Sequence, residues 1–541
     1  SQNGSKYDSN PKGSLAYRIS GIGFILDRRT GDPRKVAYRQ TSGPDMYNLN
    51  NYGGLTLTQN DRRGFDRILN AKLNARKDLE LAVPMFVKTG FNVRKQSRKL
   101  WSHSRPYTYT GPDGILGNAD DRQDLAQFLD VSGKHQREND IYRPPPFMNQ
   151  LAVARHQKSY PELWKENITT STVTRLQNRQ EADETVAAGY FMGNVRFGPV
   201  SVLAGFRVEE TKVNGEGPLQ YLSPAERARR AAWVGPVTDA EARRRAEAEW
   251  AGRDTASGKH RNTFPGIHFK YEPIRGLVMR ASYSNGIGRP GFGNLIPLTV
   301  PNDVNETVSV RNTGLKPQYS DNYDLSAEYY FEPAGLASFG VFRKDLKNFI
   351  FTDSSRVVGA GPNNGFDGEF EGYRLSTQAN GGAARIEGFE LNYQQQMKFS
   401  FLPKWAQGFG VYANYTYMKT DGDYGNAAQT TFASRELAGF LPRTGNLGVS
   451  YLGHNWDIRV QEVFRGHRLL SNSTNPAALR YDLNRLTHNV KIRYIFSEKY
   501  IVFIDVENIT AVPYTKSVRR SLDSNLPSDT GTVSPRWVGG L

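Results

Sequence analysis

None of the 541 residues is cysteine, so neither disulfides nor thiolate metal sites hold this chain together. Long apolar runs are also missing. Mean hydropathy is −0.61, hydrophobic residues make up 38%, and no run approaches the ~20 apolar residues of a membrane-crossing helix. The chain opens at Ser1 without a charged n-region or an apolar h-region, which places any secretion signal outside these residues. No shift in composition divides the chain into several domains, so one large architecture over 1–541 fits better.

What is present suits strands and turns: aromatics reach 12% and glycine 52 residues. In 200–210, Val202, Ala204, Phe206 and Val208 alternate with Ser201, Gly205, Arg207 and Glu209, and only Leu203 breaks the pattern. Period two sends the two sets to opposite faces of a sheet, one apolar and one charged. The same holds where Phe191, Val195 and Phe197 oppose Tyr190, Asn194 and Arg196, and where Trp456, Ile458 and Val460 oppose Asp457, Arg459 and Gln461. Val411, Ala413, Tyr415 and Tyr417 share a further face. Strands with an apolar outside and a wet inside predict an all-β, antiparallel transmembrane barrel, with tyrosine and tryptophan girdles at the strand ends.

The strands come in pairs joined by short turns at 197–199, 272–276, 332–335, 453–454 and 497–499. Long polar loops near 111–182, 214–261, 288–321, 354–383, 421–441, 468–480 and 509–533 separate the pairs. That asymmetry is expected of an outer-membrane barrel. Soluble sandwiches and propellers also alternate, but strands as long as 85–110 and 337–353, the absence of a repeat, and such long loops count against them.

Familiar chemical motifs fail on context. Gly286, Gly288 and Gly291 spell a dinucleotide fingerprint, yet Pro290 and Pro297 stand where its helix should begin, so a glycine-rich outer loop is favoured. Asp113, Asn118, Asp120 and Asp121 offer oxygen ligands without EF-hand spacing, which puts a solvated turn ahead of calcium. The eight histidines show no paired zinc spacing, and there is neither a nucleophile elbow nor a Walker loop. The reading is therefore not an enzyme, and no cofactor or metal is assigned. One segment, 222–251, departs from the strand pattern. Two helices are expected there, over 223–233 and 239–250, capped at Ser223 with Pro224 following and at Asp239. Alternating Glu and Arg along 239–250 read as a solvated, ion-paired surface, with Trp233 and Trp250 packing the pair.

The stretch 281–297, Ala-Ser-Tyr-Ser-Asn-Gly-Ile-Gly-Arg-Pro-Gly-Phe-Gly-Asn-Leu-Ile-Pro, followed by 312–331, resembles the barrel of TonB-dependent outer-membrane receptors. The segments 342–350, 384–391 and 502–510 extend the resemblance in the family's order, most firmly from Asp61 onward. It implies a barrel of ~22 strands, of which about 17 are visible here. It also implies an N-terminal plug in the lumen, which Arg207 and Glu209 would face, and a segment engaging TonB. The plug and first strands are expected to lie outside this chain, the first visible strand near 13–28 to run toward the periplasm, and Leu541 to fall short of the family's terminal aromatic.

The function so implied is uptake of a scarce nutrient, a carbohydrate or an iron-siderophore, across the outer membrane. Candidate ligand contacts are Trp101, His103, Arg105, Tyr107 and Tyr109 at the entry to the longest loop, with Arg289 and Phe292 in the glycine-rich loop. Aromatic rings suit sugar faces and clustered arginines suit anionic chelates. Expected partners are TonB, a small nutrient ligand, outer-membrane lipid and lipopolysaccharide. The net charge of +16 fits anionic headgroups or ligands. Two other readings are a passive porin or surface-binding β-barrel without energised transport and, from charge alone, a soluble nucleic-acid-binding β protein; the barrel reading sets nucleic acid aside.

Overall fold

The computed structural model describes residues 3–4, 14–27, 37–118, 121, 125–131, 146–303, 305–424, 432–476, 479–512, 514–518, 529–531 and 536–540. Asp120 and Leu541 lie outside them. Antiparallel pairing runs from one hairpin into the next: a short turn on one side reverses the chain, and a long loop on the other leads into the next strand. The resulting sheet has 18 strands. Asn3–Gly4 and Trp164–Glu166 are marginal members, and the other 16 form the wall. In chain order these are β1 (Ser14–Arg18), β2 (Gly53–Glu80), β3 (Pro84–Tyr109), β4 (Gln180–Phe197), β5 (Val200–Leu219), β6 (Gly252–Tyr271), β7 (Leu277–Gly288) and β8 (Gln318–Phe331). They continue as β9 (Gly335–Lys347), β10 (Ala383–Gln396), β11 (Phe409–Gly422), β12 (Arg443–Gly453), β13 (Trp456–Arg465), β14 (Arg485–Ile495), β15 (Ile501–Glu507) and β16 (Arg536–Gly540). Among the described residues no pairing joins β16 back to β1 or β2.

Short turns at 198–199, 272–276, 332–334, 454–455 and 496–500 lie on one rim, with 81–83 and 397–408 added to those the sequence suggested. At 454–455 both His454 and Asn455 take positive φ, 48° and 67°, the twist that closes a two-residue hairpin without splaying its strands. The direction expected for 13–28 is corrected. β1 pairs with the upper end of β2, Ser14 opposite Thr58, and β2 runs down to the 81–83 turn, so β1 runs up toward the long loops. Among the described residues the first strand that crosses the wall is β2.

Register decides which side chains meet lipid. One rung joins Thr89, Phe191, Phe206 and Pro265, and the rings of Phe191 and Phe206 are 46% and 50% exposed on the outer face. The other parity of β5 buries Glu209, Thr211, Gly215 and Gly217 inside. Leu203, which broke the alternation, sits on that inner face between Asn194 and His268. A girdle follows the short-turn rim: Trp456 lies 4.7 Å from Tyr494, Tyr494 4.6 Å from Phe496, and Phe409 4.9 Å from Tyr451. Aromatic rings with polar tips suit the lipid–water boundary.

The wall has no central apolar core, since lipid takes the place of a second packed layer. Buried clusters form instead under the loops, the largest from Leu55, Leu57, Tyr109, Leu125, Val153 and Trp164 with their neighbours. Loop 289–317 contributes Thr299–Asn302 and Thr307–Val310, and loop 348–382 contributes Ile350–Val357 and Arg374–Asn380, to one four-stranded sheet above the wall. A lipid-facing Phe206→Arg is expected to cost ~2–4 kcal/mol near mid-membrane, and a lumen-facing Leu203→Gln less than about 1 kcal/mol. Guanidinium unfolding in lipid vesicles measures both; equal costs would invert the assignment of faces.

Candidate functional site in the lumen

The inner faces of β2 to β6 carry a connected charge network. Glu184 and Glu209 are at least nine-tenths buried on β4 and β5. Arg207 donates to Glu209 at 2.6 Å, and Arg94 lies 3.6 Å from Glu184. Arg94 also donates to Gln96, whose amide reaches Asp66 at 2.8 Å, and Asp66 accepts from Arg98 at 2.8 Å. Carboxylates this far from water need such partners, because a lone buried charge is costly.

A strip of the loop after β7 folds down onto this network. Arg289 donates to Glu209 and, at 3.3 Å, to Thr211, and lies 4.0 Å from Glu184. Phe292 lies beneath Arg98, whose guanidinium is 4.6 Å from the ring centre. The strip lies flat on β5 because two glycines leave room for its backbone. A Cβ at Gly215 would stand 1.9 Å from the Leu295 carbonyl oxygen, and one at Gly217 2.1 Å from that of Pro297. Leu295 and Ile296 are buried there. Four guanidiniums, Arg94, Arg98, Arg207 and Arg289, thus meet three carboxylates, Asp66, Glu184 and Glu209, on the inner face of the wall. Such a surface can position polar ligand groups.

Of the seven candidates, the structure brings Arg289 and Phe292 into the lumen and keeps the other five out of it. Trp101, His103, Arg105, Tyr107 and Tyr109 share the parity of Thr89 and Phe91, which is the outer face. Trp101 carries Arg63, 5.3 Å from its ring. Tyr109 is 5% exposed and packs 5.2 Å from Trp164. Counting in twos from Phe91 was the signal that places them. The same count finds Arg94, Gln96 and Arg98 on the lumen side, where sequence reading had not looked.

The glycine motif is only partly loop: Gly286 and Gly288 are the paired upper end of β7, Gly291 lies in the loop beyond it, and Phe292–Leu295 is a single 3-10 turn. In 111–121, Asp113 accepts from Ile115 N–H and from Asn118, and Asp121 from Gly117 N–H, so these oxygens hold the turn itself.

The insertion holds helices α1 (Pro224–Ala231) and α2 (Asp239–Trp250). Ser223 caps the first as expected; the second is capped by Thr238, whose hydroxyl accepts from Glu241 N–H, with Asp239 in the first turn. The charges are ion-paired as expected, and Arg227, Arg243, Arg244 and Glu247 are exposed, but two carboxylates are buried between the helices. Glu226, 7% exposed, accepts from Arg229, Arg230 and Arg244, and Glu241, 5% exposed, from Arg229 and Arg245. Trp233 lies 5.5 Å from Arg229 and 5.7 Å from Arg245, while Trp250 is buried apart from it. Hydrogen bonds from Arg229, then from Arg230 and Arg244, hold the Glu226 carboxyl well below the usual carboxylate range.

A family model described as TonB dependent receptor-like, beta-barrel matches residues 5–509. The chain belongs to the TonB-dependent receptor β-barrel family. No curated protein matches the sequence. The unliganded ferric citrate transporter FecA is 11% identical with a TM-score of 0.50, covering 99% of this chain and 60% of that one. FpvAI in complex with a pyocin is 12% identical at 0.50, covering 99% and 51%. Fiu from E. coli in its closed form is 14% identical at 0.48, covering 97% and 59%. At such identities the likeness is one of fold, and this receptor chain spans less than two thirds of each solved structure.

Two predictions follow from this geometry. With no native cysteine, Leu295→Cys is a sole thiol, expected to label slowly with maleimide and several-fold faster alongside Gly215→Val; equal rates would remove the strip from the wall. A carboxylate with a lowered folded pKa stabilises above its unfolded value and loses that contribution as pH falls through the folded one. Pepsin is therefore expected to spare 224–250 at about pH 4 and to cut there sooner in Glu226→Gln; identical cleavage would show that Glu226 does not hold the helices together.

Proposed function

We propose that this receptor chain forms the wall of an outer-membrane transporter that takes up a scarce small nutrient with energy delivered through TonB. The observation that carries the reading is the strip around Arg289 and Phe292, an outer loop folded into a charge-lined lumen and tied to the wall at Glu209. A ligand caught by the loops meets this strip before the wider lumen, so the strip can both hold the ligand and yield it. Arg289 and Phe292 are the ligand contacts retained from the sequence. The chemistry is that of binding and passage rather than catalysis.

Membership of the family and the outward apolar belt support an outer-membrane address. Just above the belt a single rung joins Leu69, Lys95, Thr185, Lys212 and Lys259. The three exposed lysines suit the phosphates of lipopolysaccharide in the outer leaflet. Deleting the gene is expected to reduce uptake of one nutrient to the level of a strain lacking TonB. Uptake that survives loss of TonB but not of this gene would indicate passive passage.

A further inference from the structure

Above the lumen strip, a cleft of about 420 Å³ opens among four segments. Its floor is the top of the β5–β6 hairpin. The helical insertion forms one side, the 297–299 and 310–313 strips another, and 366–370 the third. Arg227 of α1 reaches across to Glu369 at 3.1 Å and ties two of these walls together. We infer that this cleft is a binding site for a neutral oligosaccharide, the first seat of the nutrient; the inference rests on the uptake reading above.

Three features point to that ligand class. Aromatic surface is on offer: Tyr221 is 56% exposed, and the rings of Phe366 and Phe370 meet edge to face at 5.5 Å. The apolar face of a pyranose ring stacks on such rings. Hydrogen-bonding capacity is two-sided. Glu369 is taken up by Arg227, and Glu249 by Arg230 at 3.0 Å and Gln220 at 2.8 Å. Asp254, one oxygen of which accepts from Thr255 N–H at 2.8 Å, and Asp367 remain as acceptors. Arg311, half-buried, gives one N–H to Gln180 at 2.8 Å, forms no ion pair among the described residues, and keeps other N–H groups to donate. Hydroxyls that both give and take hydrogen bonds match this mixture.

Charge argues against an anionic chelate. Three guanidiniums, Arg227, Arg311 and the Arg230 that pairs with Glu249, meet four carboxylates, Glu249, Asp254, Asp367 and Glu369, so the cleft has no excess of positive charge. Asp367 and Phe370 also hold positive φ, 54° and 59°, a cost for non-glycine residues that tends to persist where a loop shapes a ligand site. The cleft leads onward as well. Pro297, at its edge, lies on Gly217 in the same strip that carries Phe292 and Arg289 down to the lumen network.

The test is calorimetry on the full chain in detergent with maltotriose, cellotriose, xylotriose, mannotriose and chitotriose, against ferric citrate and trilysine. At least one neutral sugar is expected to bind, and Tyr221→Ala and Asp254→Asn each to weaken it about tenfold. Both side chains sit at a solvent-open cleft, and unchanged thermal unfolding of the variants shows that the fold is intact. Binding by none of the sugars up to millimolar concentration, a preference for ferric citrate or trilysine over every sugar, or full affinity in both variants overturns the inference. Sugar binding that the variants weaken, in cells whose uptake of that sugar does not need this gene, upholds the cleft and removes the transport reading instead.

Discussion

Backbone amides and carbonyls in hydrocarbon have no water to turn to, and the rest of this structure depends on that constraint. Each must be paired within the wall, so the ladder cannot break while it crosses the membrane. Register irregularities occur at Ala16/Arg18, Gly23/Phe24, Asp353/Arg356 and Leu469/Ser471. All lie in the loops or at the upper margin, and none between two crossing strands. An unbroken ladder preserves parity from strand to strand, so one face stays apolar and the other polar over the whole wall. The same parity separates Phe206 from Arg207 and Trp101 from Arg94.

Above the membrane the constraint relaxes and the chain solves its hydrogen bonding locally. Loops 289–317 and 348–382 pair with each other into a sheet, and the α1–α2 insertion holds itself together through arginines converging on Glu226 and Glu241. Neither solution needs a large apolar core, which accounts for a mean hydropathy of −0.61 in a chain with so much ordered loop. Buried ion pairs add little net stability over a well-packed apolar contact but strongly penalise misassembly, because a carboxylate left without its arginine is costly to bury. The insertion and the lumen strip are therefore held in specific arrangements rather than merely compacted.

Much of the wall was legible in the residues. Phe191, Phe206 and Trp456 announced the lipid face by period two, and Gly-Pro at 198–199 and Gly-His at 453–454 announced the hairpins, the second one residue early. Turns at 81–83 and 397–408 were less visible, since neither carries a compact turn signature. The site was harder. Trp101 to Tyr109 looked like ligand contacts by composition, yet composition does not say which face a residue occupies, and only register through Phe91 sends them outward. Glu241 read as surface charge for the same reason: helical spacing shows that a neighbouring arginine is near but not that a second helix covers it.

By itself the sequence determined the kind of wall, because alternation, turn chemistry and the absence of long apolar runs are local properties that each strand carries alone. It determined the family as well, through segments such as 281–297 and 312–331. Tertiary structure alone decided what the lumen and its mouth contain. Arg289 meets Glu209 across 80 positions of chain, Arg98 meets Phe292, and four separate segments close around the cleft at Tyr221 and Phe370. Contacts of that range depend on how hairpins are placed side by side and how a loop folds back onto Gly215 and Gly217, which no local pattern encodes.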